Sequence, residues 1–281
     1  MLKQRIITAV LLLVVLVPAV LADDPLAFVL LTTVLIGAAA WEWARLCAWA
    51  AWAARASGVS CAVFCLVFWR AGGATQALPL LWLVVGSVWV LSAAFFLRGG
   101  IALWQRVPPA WRWAGGMMAL LAAWVALVQA RAIGINFLFS VFVLVWGADV
   151  AAYFCGRLLG GRWITRKLAG AISPGKTWEG ALGGLVFVVA LAFAWRQWEP
   201  LSAWGTVSLY GLLGQQGAGF LLVCVVFLTT MSVVGDLLES LFKRAAGVKD
   251  SSQLLPGHGG VLDRIDALLP VLPLVMLLSV R

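Results

Sequence analysis

"FLLVCVVFLTTMSVVGDLLESLFKRAAGVKDSSQLLPGHGGVLDRID" occupies residues 220–266 and changes character midway. Its first part is an apolar run without a single charge, which reads as a membrane helix. From Asp236 onward it holds five acids (Asp236, Glu239, Asp250, Asp263, Asp266), four bases (Lys243, Arg244, Lys249, Arg264) and the only histidine of the chain, His258. Another apolar run follows at 265–280. A dense polar segment is thus framed by two membrane-type segments, and the rest of the chain repeats the framing element.

Of the 281 residues, 64% are hydrophobic and 11% are charged, with a mean hydropathy of +1.03. A water-soluble domain carries about 25% charged residues, so this chain has too little polar surface to dissolve. The fold expected is all-α: a polytopic transmembrane helical bundle of about nine spans with a polar site facing the cytoplasm. The candidate spans are 6–22, 26–44, 58–70, 78–97, 114–130, 133–153, 181–195, 217–234 and 265–280, the third being short. One integral membrane domain covers 1–281, with N-terminal spans in 1–130 and a catalytic half in 131–281. The opening residues, with Lys3 and Arg5 before an apolar run, imitate a secretory signal peptide and are read instead as a retained first helix.

The net charge of +9 suits cytoplasmic loops and anionic lipid headgroups rather than nucleic acid. With the N-terminus in the cytoplasm, 16 of the 20 Lys and Arg residues fall on that side, and only Arg70, Arg131, Arg196 and Arg281 fall outside. Nine crossings put the C-terminus on the opposite side. The five cysteines form no CxxC pair and read as packing residues. Trp69, Trp104, Trp111, Trp113 and Trp195, near arginines at run ends, suggest interfacial belts. Glu42 and Arg45, three apart, read as a local ion pair.

In this topology the loops at about 154–180 and 235–264 share the cytoplasmic side and can build one site. In the second, Asp236, Glu239 and Ser240 share a helical face, as do Asp263 and Asp266. Carboxylates suit Mg²⁺, and lysines and arginines suit phosphate oxygens. The glycines of Pro-Gly-His-Gly-Gly (256–260) let the backbone approach a ligand closely; His258 is open to a structural or a phosphate-contact role. In the first loop, "GAISPGKT" (170–177) matches the P-loop pattern literally, but a basic segment precedes it and a membrane span follows, so a nucleotide-hydrolase P-loop is rejected. Its expected geometry is Ser173 at the N-cap, Pro174 first in the helix and Lys176 in the first turn, a phosphate-binding arrangement. Asp149, inside an apolar run, is a further polar contributor.

These motifs resemble the phosphatidate cytidylyltransferase (CDP-diacylglycerol synthase) family. Ser240, Lys243-Arg244, Lys249-Asp250, His258-Gly259-Gly260 and Asp263-Arg264-Ile265-Asp266 fill the fixed positions of its signature. "WGADVAAYFCGRLLG" and "SPGKTWEG" resemble two supporting motifs, with Gly175 standing where the family usually has lysine. The resemblance implies that Asp236 and Asp263 hold Mg²⁺, and it leaves a second cation open. It implies that Lys243, Arg244, Lys249, His258 and Arg264 serve catalysis. It further implies that Asp149, Ser173, Lys176, Thr177, Glu179, Ser240, Asp250, Gly259, Gly260 and Asp266 bind the substrates, CTP and phosphatidate. A place in the cell inner membrane follows, and assembly as a homodimer stays open. Two rival readings remain: a CTP-dependent lipid kinase, and a transporter with intramembrane acids.

Overall fold

A computed structural model describes residues 2–199 and 205–279. Arg281 and the side chains of Lys3 and Arg5, counted in the charge distribution, lie outside the described residues. The architecture is all-α. In order the helices are α1 (Leu2–Leu21), α2 (Leu26–Leu46), α3 (Ala51–Arg70), α4 (Pro79–Arg106), α5 (Pro109–Ile133), α6 (Ile135–Leu159), α7 (Trp178–Trp198), α8 (Leu209–Gly214), α9 (Ala218–Ala245), α10 (Leu262–Ile265) and α11 (Leu268–Ser279). The chain is an integral membrane protein: α2, α3, α4, α5, α6, α7 and α9, seven helices among the described residues, are long and apolar enough to cross a bilayer.

All nine expected spans coincide with helices, but two of them, α1 and α11, are not among those seven. With 12 residues, α11 rises about 18 Å, well short of the roughly 30 Å hydrocarbon core. It is buried on nearly every side from Leu268 to Met276. The third span, by contrast, is a full 20 residues; its first turns were obscured in the sequence by Arg55 and small residues. Helix α4 runs past the expected end at 97 because Gly100 (φ 62°, ψ −161°) only kinks it.

Two close helix contacts set up the functional end. A Cβ at Gly180 would stand 2.8 Å from the Ala152 carbonyl, and one at Gly184 would stand 2.7 Å from that of Ala148. Small residues therefore let α6 and α7 touch backbone to backbone. Gly235 likewise puts α9 against the Asp266 carbonyl and Pro270. The buried core joins residues from α1 through α11, while Val34, Leu80, Leu91, Val186 and Val223 project outward, as a lipid-facing surface requires. The cysteines are free thiols, four of the five buried. Of the tryptophans assigned to a belt, Trp111 is exposed, but Trp104 is buried because it packs on Phe242, ring centres 4.1 Å apart.

Candidate active site

Helix α9 separates two cavities. On one side lies a polar cavity of about 470 Å³, lined by Asp149, Tyr153, Arg157, Lys176, Thr177 and Asp236. On the other lies an apolar cavity of about 430 Å³, lined among others by Val88, Trp104, Met118, Phe242, Arg112 and Glu239. Asp236 and Glu239 are only three residues apart, yet each faces a different cavity. Three residues turn a helix through 300°, so the two side chains diverge by about 60°.

The polar cavity is built by α6, α7 and the loop between them. Asp149 comes from α6, and Asp236 of α9 faces it, ion-paired with Lys176. The Ser240 hydroxyl donates to Asp236 Oδ1 (3.3 Å), as the shared helical face predicts. Asp149, Asp236 and Asp266 lie close enough to repel one another, with Lys176 and Arg264 offsetting part of that charge. Arg157 donates to the Tyr153 hydroxyl (3.1 Å) at the cavity wall.

The expected helix start in this loop is corrected by the structure. Thr177, not Ser173, is the N-cap of α7: its φ and ψ are extended, and its hydroxyl accepts from the Gly180 amide (3.1 Å). Residues 169–176 form a separate turn, closed by the Ser173 amide on the Ala169 carbonyl (2.8 Å) and the Leu168 amide on the Lys176 carbonyl (3.1 Å). Lys176 therefore precedes the helix instead of standing in its first turn. No strand precedes this segment among the described residues, in keeping with the rejected P-loop. Glu179 sits in the first turn of α7, buried, and its Oε1 accepts from the amides of Gly161, Trp163 and Ile164 (3.1, 3.1 and 2.9 Å). It grips the loop that leaves α6.

Of the signature residues, Lys243, Gly259 and Gly260 surround Asp263. Lys243 bridges Glu239 and Asp263 Oδ1, the latter at 2.5 Å. Asp263 Oδ2 accepts from the Gly260 amide (2.7 Å), the Ser251 amide (3.0 Å) and the Ser251 hydroxyl (2.9 Å). Burial by itself pushes the Asp263 carboxyl up, but its contacts with Glu239, Lys243 and the Gly260 amide outweigh it and hold the group down at about 2. Asp263 is thus an anion at neutral pH. The turn 256–260 closes through the Leu255 amide on the Gly259 carbonyl (2.8 Å). Gly257 (φ 76°) and Gly259 (φ 84°) supply the left-handed backbone it needs. His258 is half-buried, with Nδ1 buried and unpartnered among the described residues. Arg244 reaches from α9 to the Ile172 carbonyl (3.4 Å) and so ties the two polar loops together. Lys249, Asp250 and Arg264 are exposed, and the Asp266 carboxylate accepts from the Ala267 amide (2.7 Å).

Sequence reasoning missed two contributions from the N-terminal half. Thr8 of α1 donates to the Pro256 carbonyl (2.8 Å). Glu42 of α2 forms no ion pair with Arg45, which lies over the Trp41 ring instead (4.9 Å). Glu42 is fully buried and accepts from the loop 251–262. The signal was present: the cost of an acid in an apolar run, which singled out Asp149, applied equally to Glu42.

Comparison with known proteins identifies the family. The cytidylyltransferase family model matches residues 3–280. A phosphatidate cytidylyltransferase of Pseudomonas aeruginosa is 39% identical over 281 residues, covering 97% of this chain and 95% of that one. Those of Haemophilus influenzae and Brucella suis are 47% and 42% identical over 140 and 144 residues, about half of this chain and under half of each relative. With a family match over nearly its whole length and a full-length relative, the chain belongs to the phosphatidate cytidylyltransferase family.

Proposed function

We propose that this chain transfers the cytidylyl group of CTP to phosphatidate, giving CDP-diacylglycerol for phospholipid synthesis and releasing pyrophosphate. The observation that carries this reading is the pair of cavities on neighbouring sides of α9. One is polar and edged by Lys176 and Arg157, fit for a triphosphate. The other is apolar with Arg112 at its wall, fit for a lipid tail below an anionic headgroup.

The chain's own residues account for the chemistry as follows. The phosphatidate phosphate is already a nucleophile, so attack on the α-phosphorus of CTP needs no strong base. Lys176, Arg157 and Arg264 hold the triphosphate and stabilise charge on the departing pyrophosphate. Lys243 holds Asp263 and Glu239 in place, and the His258 imidazole contacts phosphate. Thr177, Ser173 and Glu179 shape the loop that carries Lys176, while Ser240, Asp250, Gly259 and Gly260 shape the wall opposite.

We assign to Asp236 and Asp263 the Mg²⁺ ion that the family motif implies. Each carries a lysine ammonium, Lys176 on one and Lys243 on the other, so both positions stabilise positive charge. Among the described residues no three acids, cysteines or histidines converge on one metal position. Mg²⁺ in nucleotide sites commonly takes one or two carboxylates and completes its shell with phosphates and water. Bound there, it would neutralise charge on the triphosphate and the leaving pyrophosphate.

The setting proposed is the cell inner membrane, with the N-terminus and both polar loops cytoplasmic and the C-terminus opposite, supported by the distribution of Lys and Arg. A reporter active only outside the cytoplasm, fused after Arg281, should be active; an inactive fusion would remove one crossing, and α11 is the helix to lose. The reaction itself is tested with CTP labelled at the α-phosphorus. The label should move into lipid when phosphatidate is present. Label left in CDP, with a phosphorylated lipid formed, would point to a kinase, and unchanged CTP would point to neither.

A further inference from the structure

We infer that Glu42 is a positioning residue of the active site: a carboxylate from α2 that holds the loop 251–262 in register and, through Ser251, aims Asp263. The inference rests on the reading that Asp263 serves the reaction.

Glu42 has no exposed surface, yet it lies some two hundred residues from its partners in sequence. Its Oε1 accepts from the Val261 amide (3.0 Å) and the Ser252 hydroxyl (2.5 Å). Its Oε2 accepts from the Leu262 amide (2.7 Å) and the Ser251 hydroxyl (3.2 Å). The Ser251 hydroxyl has one proton, and it lies between Glu42 Oε2 and Asp263 Oδ2 (2.9 Å). Glu42 and Asp263 therefore grip the same serine from two sides, and Lys243 then grips Asp263. Gly260 seals the arrangement: a Cβ there would stand 2.7 Å from the Glu42 carboxyl carbon and would collide with the Ser251 hydroxyl.

This pattern demands a carboxylate. An ionised carboxylate only accepts, with about four lone-pair positions on two oxygens. Here each oxygen faces one backbone N–H, and a backbone N–H cannot turn away. A glutamine in either amide orientation would point its own NH₂ group at the Val261 or the Leu262 amide. One buried donor would then oppose another, and the loop would have to move. General helix packing would not require this arrangement, because an apolar residue would fill the volume as well. A buried carboxyl group held by donors from a single loop points to placement of that loop.

The test uses the full chain purified in detergent, with kcat and the KM for CTP determined per folded molecule alongside the melting temperature. Glu42→Gln should lower kcat about 10- to 100-fold, as loss of a supporting partner behind a functional ligand does. The KM for CTP should change by less than about threefold, because the polar cavity is built by other elements. Adding Ser251→Ala should cost little more than about threefold again, since both changes break one chain of contacts. A wild-type kcat in Glu42→Gln, or losses that multiply in the double variant, would overturn the inference. Should Glu42→Gln fail to fold, Ser252→Ala removes one donor alone and should lower kcat by about threefold; a wild-type value there would overturn it equally. Asp263→Asn run in parallel separates the two readings. Full activity in Asp263→Asn removes the site reading itself, whereas an inactive Asp263→Asn beside a fully active Glu42→Gln removes only the role of Glu42.

Discussion

Glu179 and Glu42 are two buried carboxylates that do similar work in different ways. Each sits in an apolar helix and accepts hydrogen bonds from the backbone of a polar loop at the functional end. Glu179 reaches residues 15 to 18 positions upstream and uses a single oxygen, Oε1, for all three amides. Glu42 reaches 209 to 220 positions downstream and uses both oxygens. The local grip needs one good acceptor. The remote grip needs an acceptor oxygen toward each of two backbone amides, which a carboxyl group provides and an amide side chain does not. The loop at 160–177 is therefore held by its own following helix, whereas the loop at 251–262 depends on the distant N-terminal part of the chain.

The largest effects should come from the carboxylates that these grips serve. Asp236→Asn and Asp263→Asn each keep side-chain shape but remove charge, and each should lower kcat by about 10³-fold or more with the protein still folded. The double variant should be little worse than either single one, because both ligands serve one centre. Near-normal Mg²⁺-dependent turnover in either single variant would move the metal to Asp149 or Asp266.

The contrast between the two glutamates is sharpened by a pair of changes at Glu179. Glu179→Ala removes the acceptor and should lower kcat about tenfold. Glu179→Gln keeps an oxygen for the three amides and should stay within about threefold of wild type. Glu42→Gln, by the argument above, should be far worse than Glu179→Gln. Equal effects of the two glutamine variants would break the distinction between a one-oxygen and a two-oxygen grip.

A smaller effect is expected at Lys176, which the Glu179-held loop presents to the polar cavity. Lys176→Ala should raise the KM for CTP about five- to tenfold, the loss of one charged contact to phosphate, and leave the melting temperature unchanged within error. Kinetics indistinguishable from wild type would detach this loop from the nucleotide.

Much of the candidate site's local geometry was legible because its residues are close in sequence. The signature from Ser240 to Asp266 lies in 27 consecutive residues, and helical spacing correctly paired Ser240 with Asp236. The start of α7 was misplaced because Ser173-Pro174 and Thr177-x-x-Gly180 both satisfy capping rules, and only the fold shows which backbone turns helical. The partner of Glu42 was misassigned for a similar reason. Arg45 is near in sequence, but the helix turns Glu42 inward and leaves Arg45 to the Trp41 ring.

Composition alone determined that this chain belongs in a bilayer, since a chain with 11% charged residues cannot cover itself with polar groups. Hydropathy also placed the helices, because the membrane forces backbone groups to pair within each segment. What only the tertiary structure decided is how the polar end is held together. Hydrogen bonds between Glu42 and a loop two hundred residues away leave no periodicity in the sequence. They arise because a buried anion must collect donors from whatever backbone the packing brings beside it, and here the packing of α2 beside α10 brought it the loop that carries Asp263.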